Sequence, residues 1–430
     1  MNLVFAAIVL AAVLTAAVRQ VAWVPLDGLS SPMEALTQSM VDSAAGSVEL
    51  ALGLVGVMTL FLGLMKVAEA GGLLTVIARL IRPLMTRLFP DVPAEHPAMG
   101  AMILNLSANA LGLGNAATPF GIRAMQELNR LNPHPGTATD AMALFLAVNT
   151  SSVTLLPTGV IALRAAAGST DPAGILPTTL FATACSTLAA IAAAKILAKF
   201  SRPGAVQPAD AASGELPPPG AVEGAAPDVL GAYPLYVSLL ALAAVTALIP
   251  LTVAYGRAMS PWILPGLMAG FLIFGLCRRV RVYESFVEGA REGFQVAVKI
   301  IPYLVAILVA VGMLRASGAL DALISALDPW TARAGLPAVA LPMALMRPLS
   351  GSGAFAVLAS VINDPAVGPD SYAGYLVSTL QGCTETTFYV LAVYFGAVQV
   401  RRIRHALAAG LTADAVGIAA AIVACSYVHP

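Results

Sequence analysis

The sequence predicts an all-α polytopic membrane protein made of two homologous repeats in inverted topology, with re-entrant or broken helices in each. Three observations predict it. Of the 430 residues, 58% are hydrophobic and 11% are charged, with a mean hydropathy of +0.84. Ordinary soluble domains are about 45–50% apolar and about 25% charged. Two apolar runs are interrupted by glycine and small polar residues, GLGNAATP at 112–119 and RPLSGSGA at 347–354. Each is followed by an apolar segment with a polar patch of its own, NTSSVT at 149–154 and QGCTETT at 381–387. Finally, Lys and Arg cluster in short loops in a pattern that sets the two halves in opposite orientations. Polar, helix-breaking residues at membrane depth are costly unless they line a cavity or pack against protein. Two such breaks in corresponding places point to a transport-type site between repeats.

A spanning helix needs about 20 mostly apolar residues. Taken in order, the segments that meet this are 3–21, 48–65, 141–163, 175–197, 235–253, 262–277, 296–314, 375–398 and 406–425. The first lacks the basic start of a signal peptide and is read as a retained helix with a counterpart at 262–276. Segment 73–88 has apolar residues at Leu73, Ile77, Leu80, Ile81, Leu84 and Leu88, with Thr75, Arg79, Arg82 and Thr86 opposite. That spacing predicts an amphipathic helix lying in the interface. Segment 320–330 repeats it with Leu323, Ile324, Leu327 and Trp330. Segments 97–111 and 336–345 are apolar but end at the glycine breaks, as one arm of a re-entrant hairpin or broken helix would. Residues 201–228 are rich in Pro, Ala and Gly without an apolar run. They are read as a disordered cytoplasmic linker at 201–230 between repeats at 1–200 and 231–430, the second with one extra helix.

The halves match in four places in the same order. VDSAAG at 41–46 pairs with VEGARE at 287–292, and KVAEAGGL at 66–73 with MLRASGAL at 313–320; the glycine breaks and the polar patches follow. Orientation follows from the excess of Lys and Arg in cytoplasmic loops. Arg278, Arg279 and Arg281 form one cytoplasmic cluster, and Arg401, Arg402 and Arg404 another. Lys195, Lys199 and Arg202 place the linker inside; Lys66, Arg79, Arg82 and Arg87 place the end of 48–65 inside. The counterpart 296–314 then starts inside, because 235–253 adds one crossing, and the repeats are antiparallel.

Lys plus Arg and Asp plus Glu number 23 each. No basic face invites nucleic acid and no acidic tail invites a soluble partner. Cys185, Cys277, Cys383 and Cys425 are far apart and read as small buried hydrophobes. His96, His134, His405 and His429 show no metal-ligand spacing. No cofactor, metal or catalytic residue is expected: HExxH, the P-loop and GxGxxG after a strand are missing, and Ser352 in SGSG has no histidine at membrane depth to serve it.

The candidate binding residues gather around the breaks. Asn105 and Asn109 are four apart on one helical face. With Gly112, Gly114, Asn115 and Thr118 they either line a polar pocket or hold helices together as packing glue. Asn149, Thr150, Ser151 and Ser152 would face them. In the second half the set is Arg347, Ser350, Gly351, Ser352, Gly353, Gln381, Thr384, Glu385 and Thr386. The glycines allow close backbone approach and free N–H and C=O groups for a ligand, or serve small-residue packing. Glu385 is a carboxylate inside an apolar segment, and Arg347 is its natural partner. It either binds a cation, a proton or a polar solute group, or pins two helices through Arg347.

LNLSANALGLGNAATPFGIRAMQELN at 104–129, PLMTRLFPDVPAEHPAMGAM at 83–102 and AVNTSSVTLLPT at 147–158 closely resemble spore maturation protein A. RPLSGSGA and GCTETTFYVLAVYFGAV at 382–398 resemble spore maturation protein B. The whole chain except the linker resembles a fusion of the two. The resemblance implies a pair of gate, or nucleoside-recognition, domains of the kind also found in concentrative nucleoside transporters and in the membrane part of ferrous iron transporters. In spore formers the pair is implicated in dehydration of the spore core. The expected function is a permease of the bacterial plasma (inner) membrane, multi-pass, binding a small polar solute or ion at a midplane site between two gate repeats. The alternative is a non-transporting scaffold or regulator of envelope maturation. The expected partners are the lipid bilayer and that solute, with self-association left open.

Overall fold

The computed structural model describes residues 2–24, 30–112, 114–152, 154–201 and 232–428. The expected linker beyond residue 201 lies outside the described residues, as do the side chains of Gly114, Asn115, Leu323, Ile324, Leu327 and Trp330. The first repeat contains α1 (Asn2–Val21), α2 (Pro32–Ala70), α3 (Leu73–Leu88), α4 (Pro97–Ala110), α5 (Gly114–Arg130), α6 (Asp140–Thr150), α7 (Thr158–Ala166) and α8 (Leu176–Ala198). The second contains α9 (Leu235–Cys277), α10 (Val282–Ala316), α11 (Ala319–Thr331), α12 (Leu341–Leu349), α13 (Gly351–Ile362), α14 (Tyr372–Cys383), α15 (Thr387–Gly396) and α16 (Ala406–Val428). No strand occurs among the described residues.

Local signals explain many of the starts. Ser31 and Glu34 form a reciprocal capping box at α2. Thr139, Ser350 and Ser371 each accept a backbone N–H two or three residues into α6, α13 and α14. Two helices, α8 and α16, are each long and apolar enough among the described residues to cross a membrane unaided. Met58–Ala70 and α3 qualify together, bent by 69°. The bend falls at Gly71-Gly72, where Gly72 adopts φ +83°. It turns α3 aside, as its amphipathic pattern predicts. The most buried residues of α3 are Leu74, Ala78 and Met85, and Leu73, Ile77, Ile81 and Leu88 of the predicted apolar face pack beside them against the core.

Four predicted spans look different in the structure. Segments 141–163 and 375–398 are not continuous helices. The first splits into α6 and α7 around 151–157, the second into α14 and α15 around 384–386. The polar patches are therefore the breaks themselves. Spans 235–253 and 262–277 belong to one element, α9. A straight helix of its 43 residues would be roughly 64 Å long. Yet Tyr233, beside its start, donates its backbone N–H to Arg79 O, and Phe274 near its end packs on Gly71. Both ends thus meet the same elbow between α2 and α3, so α9 doubles back and the two spans are its arms.

The inverted relation is visible in the packing. α2 and α10 run antiparallel: Gly293 lies on Met58 and Thr59, Gly289 on Leu62 and Lys66, and Gly312 on Ser43. The sequence matches pair position 43 with 289 and 66 with 313, so the contact at one end of the crossing repeats at the other, as a two-fold axis requires. Glycine is used because the backbones touch. A Cβ at Gly289 would stand 2.5 Å from Leu62 O. α8 and α16 also cross antiparallel, with Ser186 Oγ donating to Ala413 O at 2.9 Å and Thr178 near Cys425.

Two cores result, and each mixes the repeats. One joins the α4–α5 hairpin and α6 to α15; the other joins the α12–α13 hairpin and α14 to α7. Each broken helix contributes its first half to its own hairpin and its second half to the other's.

Candidate functional site

Because the broken helices cross between the cores, their unwound segments meet. Glu385 N donates to Thr150 O at 2.8 Å, joining one break to the other through the backbone. Leu155 N donates to Ala110 O at 3.0 Å, tying the first break to the first hairpin tip. Gly112 reaches φ +74° at that tip, and a Cβ there would stand 2.6 Å from Leu156 O. Only glycine fits both the conformation and the approach.

The four segments enclose a cavity of about 340 Å³, within the range of small-molecule sites. Its walls come from both repeats. Asn109 and Gly112 come from the first hairpin, Thr154 and Leu156 to Val160 from the first break and α7, Arg347, Gly351, Ser352 and Phe355 from the second hairpin, and Gln381, Gly382 and Glu385 from the second break.

The charge is asymmetric. Arg347 is buried while its partner Glu385 is 43% exposed, with Nη2 to Oε2 at 3.5 Å. Arg347 also donates to the Thr386 hydroxyl at 3.2 Å and to Thr384 O. One guanidinium therefore satisfies a carbonyl and a hydroxyl freed by the break and leaves the carboxylate facing the cavity. On the opposite wall Asn109 Nδ2 donates to Asn149 Oδ1 at 2.9 Å, and Asn149 Nδ2 donates to Phe145 O. Gln381 Oε1 is buried without a hydrogen-bond partner. An orphaned acceptor on a cavity wall is a group for a ligand donor to satisfy.

The predicted residues divide accordingly. Asn109, Gly112, Arg347, Gly351, Ser352, Gln381 and Glu385 reach the cavity. Thr150, Ser151 and Ser152 shape the first break: Ser151 Oγ donates to Val148 O, and Ser152 adopts φ +46° with its hydroxyl bonded to Thr154. Ser350 caps α13, placing Gly353 against it. Thr384 and Thr386 hold Arg347. Asn105 does not share the cavity face with Asn109. It is fully buried and donates to Ala117 O and Tyr394 Oη, pinning the first hairpin to α15. Thr118 lies on the same hairpin's second arm.

Leu156, Pro157, Thr158 and Gly159 are cavity residues that the sequence does not signal, since the polar patch ends at Thr154. Not among the predicted residues either are Asp414, a lone carboxylate inside span 406–425, and a pair of clamps at the two ends of the molecule. At one end Arg404 pairs with Asp140 at 2.7 Å, while Arg402 and Ala138 join their loops through the backbone. At the other, the fully buried Arg164 pairs with Asp370 at 3.0 Å, donates to Pro369 O and stacks on Tyr375. Each clamp joins the end of one repeat's broken helix to the start of the other's.

The family described as "Gate: Nucleoside recognition" matches residues 51–167 and 297–401, one hairpin and one broken helix in each segment, with the whole cavity wall inside them. The chain belongs to this gate family. Two relatives from Bacillus subtilis (strain 168) are similar to it. Spore maturation protein B is 47% identical over 160 residues, covering 37% of this chain and 89% of the relative. Spore maturation protein A is 45% identical over 159 residues, covering 37% of this chain and 81% of the relative. The gate chain is thus an all-α membrane protein with the repeats expected of a fusion of the two. No solved structure matches it.

Proposed function

We propose that this protein is a multi-pass permease of the bacterial inner membrane, not an enzyme, and that it binds a small polar solute or ion in the cavity between its gate repeats. The observation that carries this reading is the convergence of both hairpin tips and both helix breaks on one cavity into which Glu385 projects. Broken helices at a repeat interface free backbone groups for a solute while the flanking helices remain packed. Glu385 and Gln381 accept hydrogen bonds and Asn109 offers an amide, so a polyhydroxylated or amine-bearing solute fits the wall. The family's description makes nucleosides the first class to test. Glu385→Gln keeps the shape of the site and removes its charge; it is expected to abolish solute flux in proteoliposomes while folded yield is unchanged.

The names of the relatives favour a second reading, a non-transporting scaffold for envelope maturation. On that reading the Arg347–Glu385 pair only pins helices. Glu385→Gln then lowers thermal stability, and no solute stabilises the wild type.

A further inference from the structure

Asp414 is the buried aspartate of the described residues, 3% exposed. It lies roughly 12 Å along α16 from Ala406, well inside a helix able to cross the membrane. Its Oδ2 accepts the Thr387 hydroxyl at 2.6 Å; its Oδ1 meets no donor. The groups facing it come from each helix packed around α16. Arg347 on α12 and the Cys383 thiol on α14 lie close enough to interact with a charge on it, and neither pairs with it. Thr387 comes from α15. Thr150 on α6 and Ser186 on α8 touch α16 at Gly410 and Gly417, one turn to either side.

An ionised carboxylate with a bare oxygen at this depth is costly, whereas a neutral carboxyl is not. A metal ion does not fit. It would need several oxygen ligands, no group of three acidic, His or Cys side chains able to hold a metal ion occurs among the described residues, and Arg347 would repel it. We propose that Asp414 is a proton-binding site, protonated in the state described here, whose proton exchange is transmitted to the solute cavity.

The route runs through Thr387, the first residue of α15, which follows directly on the break that carries Glu385. On release, the O–H bond at Oδ1 breaks, its electron pair stays on the carboxylate, and the proton passes to a water molecule as hydronium. The new carboxylate draws the Arg347 guanidinium from Thr384 O and Glu385 and loosens that corner of the cavity. This inference rests on the solute-gate reading, but its tests need no solute.

The full-length protein is reconstituted in phosphatidylethanolamine–phosphatidylglycerol vesicles, and infrared spectra are compared for wild type, Asp414→Asn and Thr387→Val. The expected result is a buried protonated-carboxyl band at neutral pH that is lost in Asp414→Asn and shifted in Thr387→Val, which loses its hydrogen bond. If neither variant changes that region, the proposal is overturned. Transmission is read by the maleimide reactivity of Ser352→Cys, normalised to the exposed native Cys277. It should rise several-fold with pH in the wild-type background and stay flat with Asp414→Asn. Equal profiles in the two backgrounds overturn the coupling, and the solute reading keeps its own test.

Discussion

Arg347 shows how one side chain can make a helix break tolerable. The break at 384–386 removes intrahelical partners, and an unpaired polar group in a buried site costs about 1–3 kcal/mol. Arg347 covers Thr384 O and Thr386 together. Arg347→Met should therefore destabilise the protein by about 2 kcal/mol, seen as a lower unfolding midpoint in detergent, whereas Glu385→Gln, at a half-exposed position, should leave the midpoint nearly unchanged. A second residue-scale prediction concerns Asp370. Partial burial opposes its ionisation, but the Ser169 hydroxyl, the Thr170 amide and hydroxyl, and Arg164 outweigh burial and hold its carboxyl below the usual carboxylate range. A depressed folded pKa contributes stability above the unfolded value, about 3.9, and that stability is lost as pH falls through the folded value. Thermal melts should be flat in this respect near neutrality and fall below about pH 4, and Asp370→Asn should remove that acid-side dependence. Glu385 was legible in the sequence because a carboxylate amid threonines in an apolar run has no bland surroundings. Asp414 and Arg164 carried the same signal, but each stands alone in its apolar segment, without the run of polar neighbours that marks Glu385.

Among the elements, the inverted arrangement of the repeats depends on the antiparallel crossing of α2 and α10. An ideal Cβ at Gly312 lies 3.2 Å from Ser43 Cβ, close to the separation a disulfide spans. In a Cys277→Ser background, Ser43→Cys with Gly312→Cys should cross-link on oxidation, while Ser43→Cys with Gly293→Cys should not. Gel mobility reads the outcome. The helical elements were legible from apolar run length and from the glycine breaks. What was not legible is that the polar patches interrupt their helices. Spans 141–163 and 375–398 are long and apolar enough to read as continuous, and only the packing of α7 and α15 into opposite cores makes unwinding worthwhile. The double-back of α9 was better read from sequence, as two spans, than its helical continuity suggests.

Across the whole molecule, duplication and inversion explain why the cavity lies between the repeats and why both ends are clamped. The loops around His134 and Arg401 meet at one end, and those around Ser169 and Asp370 at the other. The arginine bias of the first end predicts a cytoplasmic placement for it. Single cysteines at His134 and Ala366, both exposed and on equivalent loops of the two repeats, should be labelled by a membrane-impermeant maleimide from opposite sides. Labelling from one side would refute the inversion. The repeats, their order and their opposition could be read from four short matches and the positive charges. The sharing of each core between repeats could not, because it depends on which half-helix packs where. The most direct test of the central claim is solute uptake by proteoliposomes containing the wild type or Glu385→Gln, across nucleosides, amino acids, metal ions and lipid head groups. The expected result is uptake of one class by the wild type and none by an equally folded Glu385→Gln. Equal uptake by both proteins, or none by the wild type for any class, would contradict it.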